Sequence, residues 1–114
     1  MSWIQSLFAF RNARSVQEAS EQLIVRVWPW VWQRVQARVV SMTPAEARGY
    51  VRAHSSEMVR TSAASLVANH PTLQDWAVES VVERTLDALV TLSLAELVQH
   101  QRQLLQQKMA RRAA

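Results

Sequence analysis

The chain has 114 residues, 49% hydrophobic and 19% charged, a balance that belongs to a folded domain and excludes a disordered tail. One glycine and three prolines leave little of the turn chemistry that sheets need, and the absence of cysteine excludes a disulfide frame, a thiolate metal site and a cysteine nucleophile. The net charge of +4 is ordinary, although twelve of the thirteen basic residues are arginine. The expected fold is all-α, a single domain over 1–114. It is a compact bundle or orthogonal array of about four helices with an apolar N-terminal arm.

Residues 1–14 form that arm, with Trp3, Ile4, Leu7, Phe8 and Phe10 at near-helical spacing. The arm is expected to pack on its own bundle. The alternatives are packing across a dimer, or insertion at a membrane surface helped by Arg11 and Arg14. Ser15-x-x-Glu18 reads as a capping box opening a first helix that runs to about Ser41. Its apolar stripe is Leu23, Ile24, Val27, Trp28, Val31, Trp32, Val35 and Val39. Pro29 predicts a kink or a break, and Trp30 beside it is expected to be buried within the chain or a dimer.

Thr43-Pro44-Ala45-Glu46 predicts the cap of a second helix ending near Asn69. Its expected inner face is Ala47, Tyr50, Val51, His54, Met58, Thr61, Ser62 and Ser65, with His54 hydrogen-bonded in the core. His70-Pro71-Thr72 ends that helix, and Thr72-x-x-Asp75 caps a third along Val78, Val81, Val82, Thr85, Leu89 and Leu92. At Ser93 the apolar stripe changes face. The box Ser93-x-x-Glu96 predicts a break there and a fourth, glutamine-rich helix with Leu94, Leu97, Val98, Leu104, Leu105 and Met109. Gln101 and Lys108 interrupt its seam, as polar residues do where a partner helix is met in register. Residues 108–114 are expected to fray.

Charges stand in rows at four-residue spacing: Arg26, Trp30, Arg34 and Arg38, then Arg48, Arg52, Ser56 and Arg60, then Asp75, Glu79, Glu83 and Asp87. Each row is read first as a solvated face, and second as one side of a pairing between helices or between copies. No stretch of about 20 apolar residues exists, and no export signal is read, so the expected compartment is the cytoplasm.

No glycine-rich phosphate loop, nucleophile elbow or HExxH is present, and the three histidines have no recognised catalytic spacing. Glu96/His100 and Glu79/Glu83 share faces without the Glu-x-x-His pairs of a di-iron bundle. No catalytic residue, metal or cofactor is expected. The expected function is a non-enzymatic helical protein–protein interaction or scaffold module, homo-oligomeric and most simply a dimer. Its anchors would be Trp3, Phe8, Trp30, Leu97, Leu104 and Leu105. The first alternative is nucleic-acid binding through Arg26, Arg34, Arg38, Arg48, Arg52 and Arg60 with Trp30 stacking. The second is peripheral membrane association through residues 1–14.

Overall fold

The computed structural model describes the backbone of residues 3–113, and the side chains of Trp3 and of residues 11–113. Over that span the chain is three helices, not four: α1 (Trp3–Val39), α2 (Pro44–Ala68) and α3 (Ala77–Ala113). All three pairs of helices are in contact. At about 1.5 Å per residue, α1 and α3 are each about 55 Å long and α2 about 37 Å. The molecule measures 69 × 28 × 21 Å.

The extra boundary expected at Ser15 does not exist. The arm is the beginning of α1, and Ser15 lies inside the helix. Arg14 pairs with Glu18 at 3.2 Å, so that carboxylate does not close a capping box, while Ser15 Oγ lies 3.2 Å from Thr72 Oγ1. Pro29 does not interrupt α1 either. Proline strips the carbonyl four residues back of its donor. That residue is Val25, and both it and Pro29 are exposed, so water can serve the carbonyl.

The cap of α2 forms as expected. Thr43 N donates to Glu46 Oε1 at 3.1 Å, and Glu46 N donates to Thr43 Oγ1 at 3.2 Å. The Thr43 N–H, then its hydroxyl, hold the Glu46 carboxyl below the usual glutamate range. The helix ends where Asn69 N and Nδ2 both donate to Ser65 O, at 3.2 and 2.8 Å. Thr72 does not cap α3. Its backbone N–H donates to His70 Nδ1 at 3.2 Å, and α3 is entered through a turn in which Ala77 N reaches Gln74 O at 2.9 Å.

Nor does α3 break at Ser93, which is fully buried inside a continuous helix. A capping box can form only where the backbone leaves the helix, and burial of both Ser93 and Leu97 holds this stretch in place. Residues 108–113, expected to fray, are helical. Gln, Leu, Lys, Met, Ala and Arg are all good helix formers, so the helix already nucleated in the bundle propagates.

The core is built on three rows that advance four residues at a time, with a shorter second row on α3 at Val82, Leu86 and Val90. The three rows are Leu23, Val27, Val31, Val35 and Val39 on α1, and Ala47, Val51, Ser55, Val59, Ala63 and Val67 on α2. On α3 the row is Ala77, Val81, Thr85, Leu89, Ser93 and Leu97. A step of four residues turns about 400°, so each row drifts about 40° per step around its helix. Such i, i+4 ridges are the commonest surfaces of helix packing, and their drift is opposite in hand to that of a heptad seam. The drift corrects the expected inner face of α2. Ala47 and Val51 are buried as expected, but Ser55, Val59, Ala63 and Val67 follow, while His54, Thr61 and Ser65 are exposed. Small and β-branched residues line the row, and Tyr50, His54 and Met58 stand at its edge.

One of the four buried hydroxyls among the described residues bonds within its own helix. Ser20 Oγ donates to Val16 O at 2.7 Å. The hydroxyls of Ser55, Thr85 and Ser93 are buried without a hydrogen-bond partner.

Candidate functional site

The acidic row of α3 meets the basic row of α2. Arg52 Nη1 donates to Asp87 Oδ1 at 2.8 Å, and its Nη2 pairs with Glu83, while Arg60 pairs with Glu79. Moving two steps forward on α2 and two steps back on α3 keeps the pairing, so the helices are antiparallel with one register. The acidic row stays exposed, as a solvated face does, and the second reading holds for this pair as well: neighbouring helices bring the rows within reach. The side chains stay partly in water, and such pairs select register more than they stabilise. The hydrogen bond to Asp87, helped by Glu83, raises the Arg52 pKa above its ordinary value. Arg52 and Arg60 are thereby occupied, and the six arginines of the nucleic-acid alternative do not form one free patch.

The α1 row behaves differently. Arg26, Arg34 and Arg38 are exposed and make no ion pair among the described residues, and Trp30 between them is 68% exposed, so it is not buried within its own chain. From Gln22 to Ala45 the sequence has no acidic residue. The core stripe on the other side of α1 fixes this face outward. Trp28 and Trp32, one turn apart, stack on each other at 5.5 Å and lean on the core, so Trp30 between them in sequence points elsewhere.

Arg34 forms one lip of a groove of about 530 Å³ between α1 and α2. The α2 side supplies Ala53, His54, Glu57, Met58, Thr61 and Ser62. His54 packs against Tyr50 with ring centroids 4.1 Å apart and ring planes tilted by 36°. The expected core role of His54 is thus replaced by a place on the groove wall. Residues four apart on one helix share a side, so Trp30 and Arg38 stand one turn below and above Arg34. Arg48, at the start of α2, is also exposed.

A second uncovered surface is the end of α3. Leu97 is 1% exposed and belongs to the chain's own core, so it is corrected as a partner-binding anchor. The residues after it lie past the α1–α2 turn, because α3 runs antiparallel to α2 and its neighbours end there. Val98, Leu104, Leu105 and Met109 are exposed at 45–63%. Leu104 and Leu105 are free to meet a partner, as is Trp3 at 73%, whereas the side chain of Phe8 lies outside the described residues. Val98 and Met109 were not singled out as anchors. Their spacing with Leu105 was the available signal, since 98, 105 and 109 fall on one side of a helix.

Glu79 and Glu83 hold arginines, and no group of three His, Asp or Glu residues able to hold a metal occurs among the described residues. No described helix is long and apolar enough to cross a membrane. No protein-family model, curated protein or solved structure matches this chain.

Proposed function

We propose that this chain is a non-enzymatic, cytoplasmic protein–protein interaction or scaffold module that assembles with itself, most simply as a dimer. The observation that carries this reading is the end of α3, which continues 16 residues past Leu97 and holds Val98, Leu104, Leu105 and Met109 in water. A rigid helix with an uncovered apolar side gains by lying against another helix, at about 25 cal/mol per Å² of apolar surface removed from water. Gln101 within the stripe fits a second copy, because an amide both donates and accepts and can pair with its own counterpart. Trp3 is a further exposed anchor of the kind interfaces favour.

The same end carries Arg102, Lys108, Arg111 and Arg112, with no acidic residue after Glu96. Two such ends brought together repel, and salt screens that repulsion. Self-association through α3 should therefore tighten as salt rises. Sedimentation equilibrium tests it: the expected mass is twice 13.0 kDa at micromolar concentrations. Leu105→Glu should return a single-chain mass with unchanged helicity. A wild-type chain that stays a monomer at 100 μM and high salt, taken here as a concentration of roughly 100 times a typical micromolar Kd, refutes the reading.

A further inference from the structure

The α1–α2 groove, with Arg34 on its α1 lip and Arg26, Trp30 and Arg38 in the same four-residue row of α1, holds together as a site. We propose that it binds single-stranded nucleic acid, with the phosphates along Arg26, Arg34 and Arg38 and a base stacked on Trp30.

The charge distribution is the first support. Among the described residues, ion pairs hold Arg14 to Glu18, Arg52 to Glu83 and Asp87, and Arg60 to Glu79. The α1 row alone joins three arginines without an ion pair among the described residues to a tryptophan 68% exposed. Geometry is the second support. Successive members of the row rise about 6 Å along the helix and turn about 40° around it, so the cations form a winding track with an axial rise of about 18 Å rather than a patch. A line of cations with a planar ring in it suits a ligand that repeats an anion and offers planar apolar groups between anions. Single strands are held in this way, by a basic track with aromatic platforms.

The groove beside the row adds wall rather than floor for a bilayer. Arg34 is one lip, and His54 (packed against Tyr50), Met58, Thr61 and Ser62 make the other. A flat lipid surface cannot enter a groove between two helices, whereas a single strand can. The outer crest of α1 beside the row also carries Gln22 and Gln33, which a bilayer would have to desolvate. One group opposes the ligand: Glu57, exposed on the α2 lip facing Arg34. Its carboxylate repels phosphate, and that makes its removal diagnostic. The site uses no residue of α3, so it stands or falls apart from self-association.

The test is fluorescence anisotropy of the full chain with a dye-labelled oligothymidylate of 15 nucleotides. The same DNA as a duplex, and phosphatidylserine-containing vesicles, are the comparison arms. The oligothymidylate should bind at low salt, with quenching of tryptophan emission that is lost in Trp30→Phe. Arg34→Ala/Arg38→Ala should weaken binding about tenfold or more and flatten the slope of log K against log salt by about 1.4, since each single-strand phosphate contact contributes about 0.7. Arg11→Ala/Arg84→Ala removes the same charge elsewhere and should change affinity less than twofold. Glu57→Gln should tighten binding. All these positions are exposed, and far-UV circular dichroism confirms that each variant is folded. The proposal is overturned if the oligothymidylate does not bind, if the two double variants weaken binding equally, or if vesicles or duplex are bound in preference.

Discussion

Thr85→Val should make the protein more stable. Thr85 is fully buried in α3, between Val81 and Leu89 of the core row, and its hydroxyl has no hydrogen-bond partner. In protein interiors an unpaired buried hydroxyl costs about 1–3 kcal/mol. Valine has nearly the same shape and replaces the hydroxyl by a methyl group, so no cavity opens. The expected gain is about 1–2 kcal/mol. For a domain of this size that corresponds to a rise in Tm of about 4 °C per kcal/mol. The assay is thermal and guanidinium unfolding followed by far-UV circular dichroism, at one protein concentration because self-association also stabilises. Ser20→Ala is the internal control. Its Oγ already donates to Val16 O at 2.7 Å, so its removal should bring no gain and cost up to about 1 kcal/mol. If Thr85→Val lowers the midpoint as Ser20→Ala does, the Thr85 hydroxyl is bonded to its own helix and the reasoning is wrong.

Gly49→Ala should stabilise α2 by about 0.5–1 kcal/mol, because Gly49 sits inside the helix and an added Cβ meets nothing within 4 Å; chemical denaturation reads the shift. Leu97→Ala should cost about 2–5 kcal/mol in the same measurement, whereas Leu105→Ala should leave single-chain stability almost unchanged and act on mass in solution. Arg52→Ala should cost about 1 kcal/mol or less, since its partners are half exposed or more; a loss of several kcal/mol would contradict the exposed ion pairs described above. Glu46 has its folded pKa lowered by Thr43, so the stability it adds is present above its unfolded pKa and lost as pH falls through the folded one. Unfolding midpoints of Glu46→Gln and wild type should therefore converge below about pH 4 and separate above it; parallel curves across that range would contradict the capping box as the cause.

What the sequence determined by itself was the class of structure and its strongest local signals. With one glycine the chain had little choice but helix, and the Thr43–Glu46 box fixed the start of α2 because all its partners lie within one turn. The stripe Leu23 to Val39 was legible because strong apolar periodicity marks a face whatever packs on it. Tertiary structure decided the rest. Ser15, Thr72 and Ser93 carry capping chemistry, but a cap acts only where the backbone leaves the helix. At Ser15 and Ser93 the helix runs on, held at Ser93 by burial, and at Thr72 it begins later. The inner face of α2 turned on register: the buried row Val51, Ser55, Val59, Ala63 and Val67 advances by four residues, and that step carries the face away from His54. Charge rows look alike in sequence. Only the placement of α2 against α3 separated Arg52 and Arg60, which have carboxylates in reach, from Arg26, Arg34 and Arg38, which face outward beside Trp30.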